Sequence, residues 1–154
     1  MGAWHVHSQS APPEANMNLA CVRSLIQPED EGYFTMQNNS MNVATFDWRQ
    51  NDLEGGCDNQ GGCYALNPPD PGVIGMPKPY FFEVIDTDYI NYAINYHCDA
   101  DTGYPQVWIL SRKQDLSQAE YDQIYARMTQ LLPNFDHNLY MQDRFNHQGC
   151  VYDN

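Results

Sequence analysis

The sequence predicts an all-β protein: a closed, eight-stranded, antiparallel up-and-down β-barrel with a single C-terminal α-helix packed on its outside. Three observations carry this expectation. The first half of the chain breaks into short segments rich in aromatic and β-branched residues, separated by Pro, Gly and Asn, which is the pattern of a many-stranded sheet. Eight such segments in succession favour a meander, and closing eight strands removes the unpaired edges while leaving room for one small ligand. One stretch after the last segment carries apolar residues at helical spacing.

The strands are expected near 3–9, 18–27, 32–38, 61–66, 72–76, 80–86, 90–98 and 106–112. Met41 to Gln50 could extend a strand, whereas Asn51 to Gln60 is polar and glycine-rich and is expected as a loop carrying Cys57. Pro68-Pro69-Asp70-Pro71-Gly72 is a turn signal, since each proline fixes its φ and lacks the N–H that a ladder needs. For the helix, Ser117 is the cap, Glu120 completes a capping box and Pro133 ends it. Tyr121, Ile124, Tyr125, Met128, Leu131 and Leu132 form its apolar stripe, expected against the barrel wall.

The 154 residues suit one domain spanning 1–154, and no apolar run approaches the ~20 residues a membrane-spanning helix needs. A formal net charge of −13 repels phosphate backbones and anionic membrane surfaces, so neither nucleic acid nor membrane insertion is expected.

Five cysteines, Cys21, Cys57, Cys63, Cys98 and Cys150, are too scattered for a zinc site and point to disulfides, hence to a secreted, extracellular protein. Residues 1–20 show no signal peptide, so Met1 is expected to replace something removed. Asn38-Asn39-Ser40 is a glycosylation sequon that would place Asn38 on the surface. His5 and His7 share one face of the first strand, but no third ligand declares itself, so no metal is expected; a solvent-facing pair is the simpler reading.

Three separated pieces carry a family resemblance: Gly2-Ala3-Trp4; Val84-Ile85-Asp86-Thr87-Asp88-Tyr89 continued by Tyr92-Ala93-Ile94 and Tyr96-His97-Cys98; and Val107-Trp108-Ile109-Leu110-Ser111-Arg112 just before the helix. In this order and spacing the chain resembles the lipocalins (calycin fold), in particular an apolipoprotein D-like or crustacyanin-like subgroup, with only 41–60 unmatched.

Trp4 and Arg112 end the first and last strands, which are neighbours in a closed barrel; a guanidinium stacked on the indole would plug that end and contribute roughly 0.5–2 kcal/mol. Asp88 and Tyr89 are then scaffold in the adjacent turn. The resemblance implies that Trp108 lines the pocket, with core filling as the alternative role. Glu83 stands where the subgroup often has an inward aromatic; it either meets a polar end of the ligand or shifts into solvent. Phe34, Tyr64, Tyr80, Tyr92 and Tyr96 are further wall candidates.

A Cys21–Cys150 disulfide fits the resemblance. Cys57 and Cys63 could join locally and leave Cys98 free; alternatively Cys98 pairs elsewhere, and since five cysteines cannot all pair within one chain, a bridge between copies and hence a homo-oligomer stays open.

The sequence thus points to an extracellular carrier, not an enzyme, that holds a lipid, retinoid, sterol, carotenoid or tetrapyrrole in its barrel; no cofactor is required, although a bound carotenoid or bilin chromophore is a special case. The alternatives are a barrel enzyme using Glu83 or Cys98 on a cavity-bound lipid or carotenoid, and an interaction module that presents a long 47–62 loop.

Overall fold

The computed structural model describes residues 1–15, 17–67, 79–98 and 103–152. Eight strands follow one another in the order β1 (Gly2–Gln9), β2 (Leu19–Pro28), β3 (Tyr33–Asn42), β4 (Trp48–Cys57), β5 (Gly62–Leu66), β6 (Tyr80–Thr87), β7 (Tyr92–Cys98) and β8 (Pro105–Ser111). Each pairs antiparallel with the next, and β1 returns to β8, with His5 opposite Ser111 and Val6 opposite Leu110, to close the barrel. Closure gives each of the described strands a neighbour on both sides, which removes the exposed edge that a second chain could extend.

Seven of these strands lie where the sequence pattern places them. The exception is β4, most of which (Asn51 to Cys57) occupies the segment expected as a polar loop. It pairs along its full length with β3, from Met41 opposite Trp48 to Tyr33 opposite Gly56, and at its end with β5. It therefore supplies no long 47–62 loop for an interaction module; only the short connections 43–47 and 58–61 flank it. The strand predicted at 72–76 and the turn at Pro68–Gly72 lie outside the described residues.

Gly55 explains part of the unusual composition of β4. A Cβ there would lie 2.2 Å from the Tyr64 carbonyl oxygen and 2.6 Å from the Phe34 ring, so only glycine lets β5 and the Phe34 ring approach this closely.

The helix α1 (Gln118–Leu131) starts at the expected capping box: the Ser117 hydroxyl accepts from the Glu120 N–H and the Glu120 carboxylate accepts from the Ser117 N–H. Tyr121, Ile124 and Met128 are buried against Ile94, Val107 and Ile109 on the outer face of β7 and β8. Each such apolar side chain contributes about 1.5–3 kcal/mol, which fixes the helix outside the barrel and leaves the inner faces of the same strands to something else.

The C-terminal segment, with a short helix α2 (His137–Tyr140), closes a gap in the wall. β1 pairs with β2 only from Gly2 to His5. Beyond that point the tail enters: Gln142 donates to the Gln9 carbonyl, Phe145 to the His7 carbonyl, and Cys21 donates to the Asn146 carbonyl. The Cys21–Cys150 disulfide locks it, with Cα atoms 5.6 Å apart. A second disulfide, Cys57–Cys63, staples the β4–β5 hairpin, and Cys98 is an exposed thiol.

His5 and His7 lie under this tail rather than in solvent. They are 7% and 0% exposed, and each ring stands within 5.5 Å of the His147 ring, centroid to centroid. His7 Nε2 donates to the Lys113 carbonyl and His147 Nε2 donates to the Val6 carbonyl, which requires a proton on Nε2 of each ring. Burial pushes His5 and His7 down from 6.5 to about 4, an effect reinforced by His147.

Candidate ligand-binding site

Strand alternation sends every second side chain into the barrel. From β8, Trp108 and Leu110 turn inward, while Val107 and Ile109 lie beneath α1. Directly paired residues share a face, so Asn95 opposite Trp108 and Ala93 opposite Leu110 are also inside. From β6 come Tyr80, Phe82 and Val84, and from β3 come Phe34, Met36 and Asn38.

These side chains leave two chambers joined at a waist. A larger one of about 610 Å³ lies toward the Trp4 end, bounded by Trp4, Phe34, Ala93 and Arg112 and by the 58–61 and 88–91 connections. A smaller one of about 160 Å³ lies toward the opposite end, bounded by Val22, Met36, Asn38, Tyr80 and Trp108. Ile26, Phe82, Asn95 and Leu110 border both.

The guanidinium of Arg112 stacks on the Trp4 ring at 3.7 Å. It also donates to the Ala3 carbonyl at 2.8 Å and to the Met1 carbonyl. Gly2, at φ +91°, permits this, because a Cβ there would come within 3.1 Å of the guanidinium. The pair forms part of the wall of the larger chamber at that end of the barrel. In the adjoining turn the Asp88 carboxylate accepts from the N–H groups of Ile90, Asn91 and Tyr92, and Tyr89 takes a left-handed conformation at φ +64° with its ring in solvent.

Of the predicted wall residues, Trp108, Tyr80 and Phe34 border the interior. The Tyr80 ring meets Trp108 edge-on at 5.4 Å at the partly exposed rim of the smaller chamber. Four others do not border it. Tyr92 and Tyr96 pack on the α1 side of the wall, where the Tyr92 hydroxyl donates to Asp86 at 2.9 Å and Arg127 of α1 donates to the same carboxylate at 3.0 Å. Tyr64 and Glu83 lie along an outer groove that also holds Tyr96 and Cys98. Glu83 is exposed, the solvent outcome of its two readings. With Glu83 and Cys98 both outside, the barrel-enzyme alternative loses its named reactive groups.

Asn38 is likewise not a glycan site by geometry: it sits within the paired run of β3, lines the smaller chamber and accepts from the Ser24 hydroxyl at 2.6 Å. A glycan on that side chain would have to occupy the barrel interior. The residues that sequence reasoning missed are Phe82, Asn95, Ala93, Met36 and Ile26; given Trp108 inside, pairing parity alone selects Asn95 and Ala93. Among the described residues, no group of three or more His, Cys, Asp or Glu side chains could hold a metal ion.

Comparison with solved structures places this geometry. Insecticyanin from the tobacco hornworm Manduca sexta superposes with a TM-score of 0.75 at 19% identity, over 98% of this chain and 81% of that one. The chain has the lipocalin fold. H1 crustacyanin from the lobster Homarus americanus gives a TM-score of 0.68 at 18% identity, covering 97% of this chain and 78% of its own. The amine-binding protein of Rhodnius prolixus in its tryptamine complex gives 0.66 at 15%, over 99% and 82%. No family model and no curated sequence matches the chain. Identities this low speak to the lipocalin barrel itself, while the particular side chains inside it are this chain's own.

Proposed function

We propose that this protein is a member of the lipocalin family, of the subgroup that contains the crustacyanins, and acts outside the cell as a carrier of one small, predominantly apolar molecule in the barrel. The observation that carries the reading is the hollow itself: a closed barrel whose helix packs on the outer face of β7 and β8, with two adjoining chambers walled by Trp4, Phe34, Phe82, Tyr80 and Trp108. Trp108, Tyr80 and Phe34 are the proposed aromatic contacts. Removing about 300 Å² of ligand apolar surface from water contributes roughly 7–8 kcal/mol, against which the loss of the ligand's translational and rotational freedom is set, so a wall that is already formed favours binding.

The two disulfides support an oxidising, extracellular setting. A carotenoid or bilin is one ligand class that flat aromatic walls suit, and a visible absorbance band in protein from its natural source would identify it. An amine is a second reading, suggested by the tryptamine-binding neighbour alone.

The test is a titration followed by tryptophan fluorescence, using an apolar probe of the size of a C15 isoprenoid. Saturable binding at one site per chain is expected in the native protein. Ala93→Phe, which fills the larger chamber, is expected to weaken binding at least tenfold while the far-ultraviolet circular dichroism stays unchanged. Binding that is indifferent to Ala93→Phe would remove the barrel interior as the site.

A further inference from the structure

The waist between the chambers is apolar on most sides, with Phe82, Leu110 and Ile26 shared by both, yet it holds an amide. The Asn95 side-chain oxygen is buried and accepts no hydrogen bond from the protein. Its neighbours across the ladder are inward-facing apolar groups, Trp108 directly opposite on β8 among them. The nearby Asn38 oxygen, by contrast, is already engaged by Ser24 at 2.6 Å. A buried acceptor left without a donor is destabilising, so a molecule that fills the waist without supplying one would bind against that penalty.

Charge narrows the ligand further. Among the described residues lining the two chambers there is no carboxylate, although the chain as a whole carries twenty acidic residues. Arg112 is the one ionised side chain among those described residues, and its guanidinium is committed to Trp4 and to the Ala3 and Met1 carbonyls. An ammonium group carried inward would therefore be desolvated with no counter-charge and with a like charge at the chamber wall. The protein's acidity lies outside the hollow.

Resting on the carrier reading above, we infer that the ligand is an uncharged amphiphile whose hydroxyl or neutral N–H donates to the Asn95 side-chain oxygen at the waist, its apolar body filling the larger chamber. This selects a terpenoid or sterol alcohol, or a neutral lactam N–H, over a pure hydrocarbon and over a protonated amine.

Isothermal titration calorimetry of the full, disulfide-bonded chain with farnesol, farnesyl methyl ether and farnesylamine at pH 7.5 tests it, since the three share one skeleton and differ only at the polar end. Farnesol is expected to bind about tenfold tighter than the ether, which can accept but not donate, a ratio equivalent to about 1.4 kcal/mol. The amine is expected to be weaker than the alcohol. In Asn95→Leu the alcohol-to-ether ratio is expected to fall to about one, and in Asn95→Asp the amine is expected to overtake the ether. Equal binding of all three by the unmodified protein would overturn the Asn95 assignment and leave the carrier reading standing. Tighter binding of the amine, or an alcohol preference that survives Asn95→Leu, would also overturn it. Failure of all three to bind would bring down both.

Discussion

Acid should weaken this protein through the histidines beneath its C-terminal tail. His5 and His7 are buried as neutral rings with folded values of about 4, against 6.5 in the unfolded chain. The unfolded state therefore binds more protons between those values: stability is complete above pH 6.5, declines as pH falls, and levels off below about 4. Each ring costs ~2 kcal/mol at pH 5 and ~3 kcal/mol at pH 4 by linkage, so the pair removes ~4 kcal/mol at pH 5. That is a large part of the ~5–15 kcal/mol typical of a domain. His147, lowered chiefly by burial, acts in the same direction. The groups facing the cluster include Arg23 on β2 and Arg144 in the tail, which disfavour protonation, and Asp115, which favours it too weakly to compensate. Urea unfolding followed by tryptophan fluorescence from pH 7.5 to 4.5 measures the effect, with His5→Gln/His7→Gln as the non-titrating comparison. A loss below ~1 kcal/mol at pH 5, or the same loss in the double variant, would refute the reasoning.

Other perturbations have sizes set by the contacts already described. Arg112→Met removes the stacking on Trp4 and two carbonyl hydrogen bonds, and is expected to lower unfolding free energy by about 1–3 kcal/mol in urea. Gly55→Ala forces a methyl against the Tyr64 carbonyl and the Phe34 ring, with an expected loss of about 1–3 kcal/mol and a weaker ligand fit on the Phe34 side. Replacing Cys21 and Cys150 by serine opens a loop of 129 residues, with a loss of up to about 5 kcal/mol in the chain-entropy account; the thermal midpoint of the variant should match that of selectively reduced protein.

Most of the barrel was legible because its strands carry short aromatic and β-branched runs, such as Val107 to Leu110, whose two faces meet the helix and the interior, and because Ser117 and Glu120 mark the helix start directly. β4 was not. Its outward side chains, such as Asp52 and Glu54, meet solvent, and its inward ones include Asn51, Leu53 and Gly55, so neither face offers the alternation that flags a strand. A strand that borders a hollow and a close-packed ring has little reason to look apolar.

The site was half legible for a related reason. Trp108 was placed on the inner face by family resemblance, but the tyrosines were chosen for their chemistry rather than their parity. Tyr96 pairs with Val107 and Tyr64 with Phe81, so both stand on the outer face, and Glu83 cannot share a face with Tyr80 three residues away along the same strand. Asn95 escaped notice because asparagine in a strand carries no signature, and its meaning appears only with the register that sets it opposite Trp108.

A carrier of this kind requires an occupied interior. A crystal structure of the protein purified from its natural source tests that most directly, with density for one small molecule expected between Trp4, Phe82, Asn95 and Trp108. Chambers closed by inward collapse of those same side chains, or a ligand seated instead in the outer groove beside Tyr64 and Glu83, would contradict it.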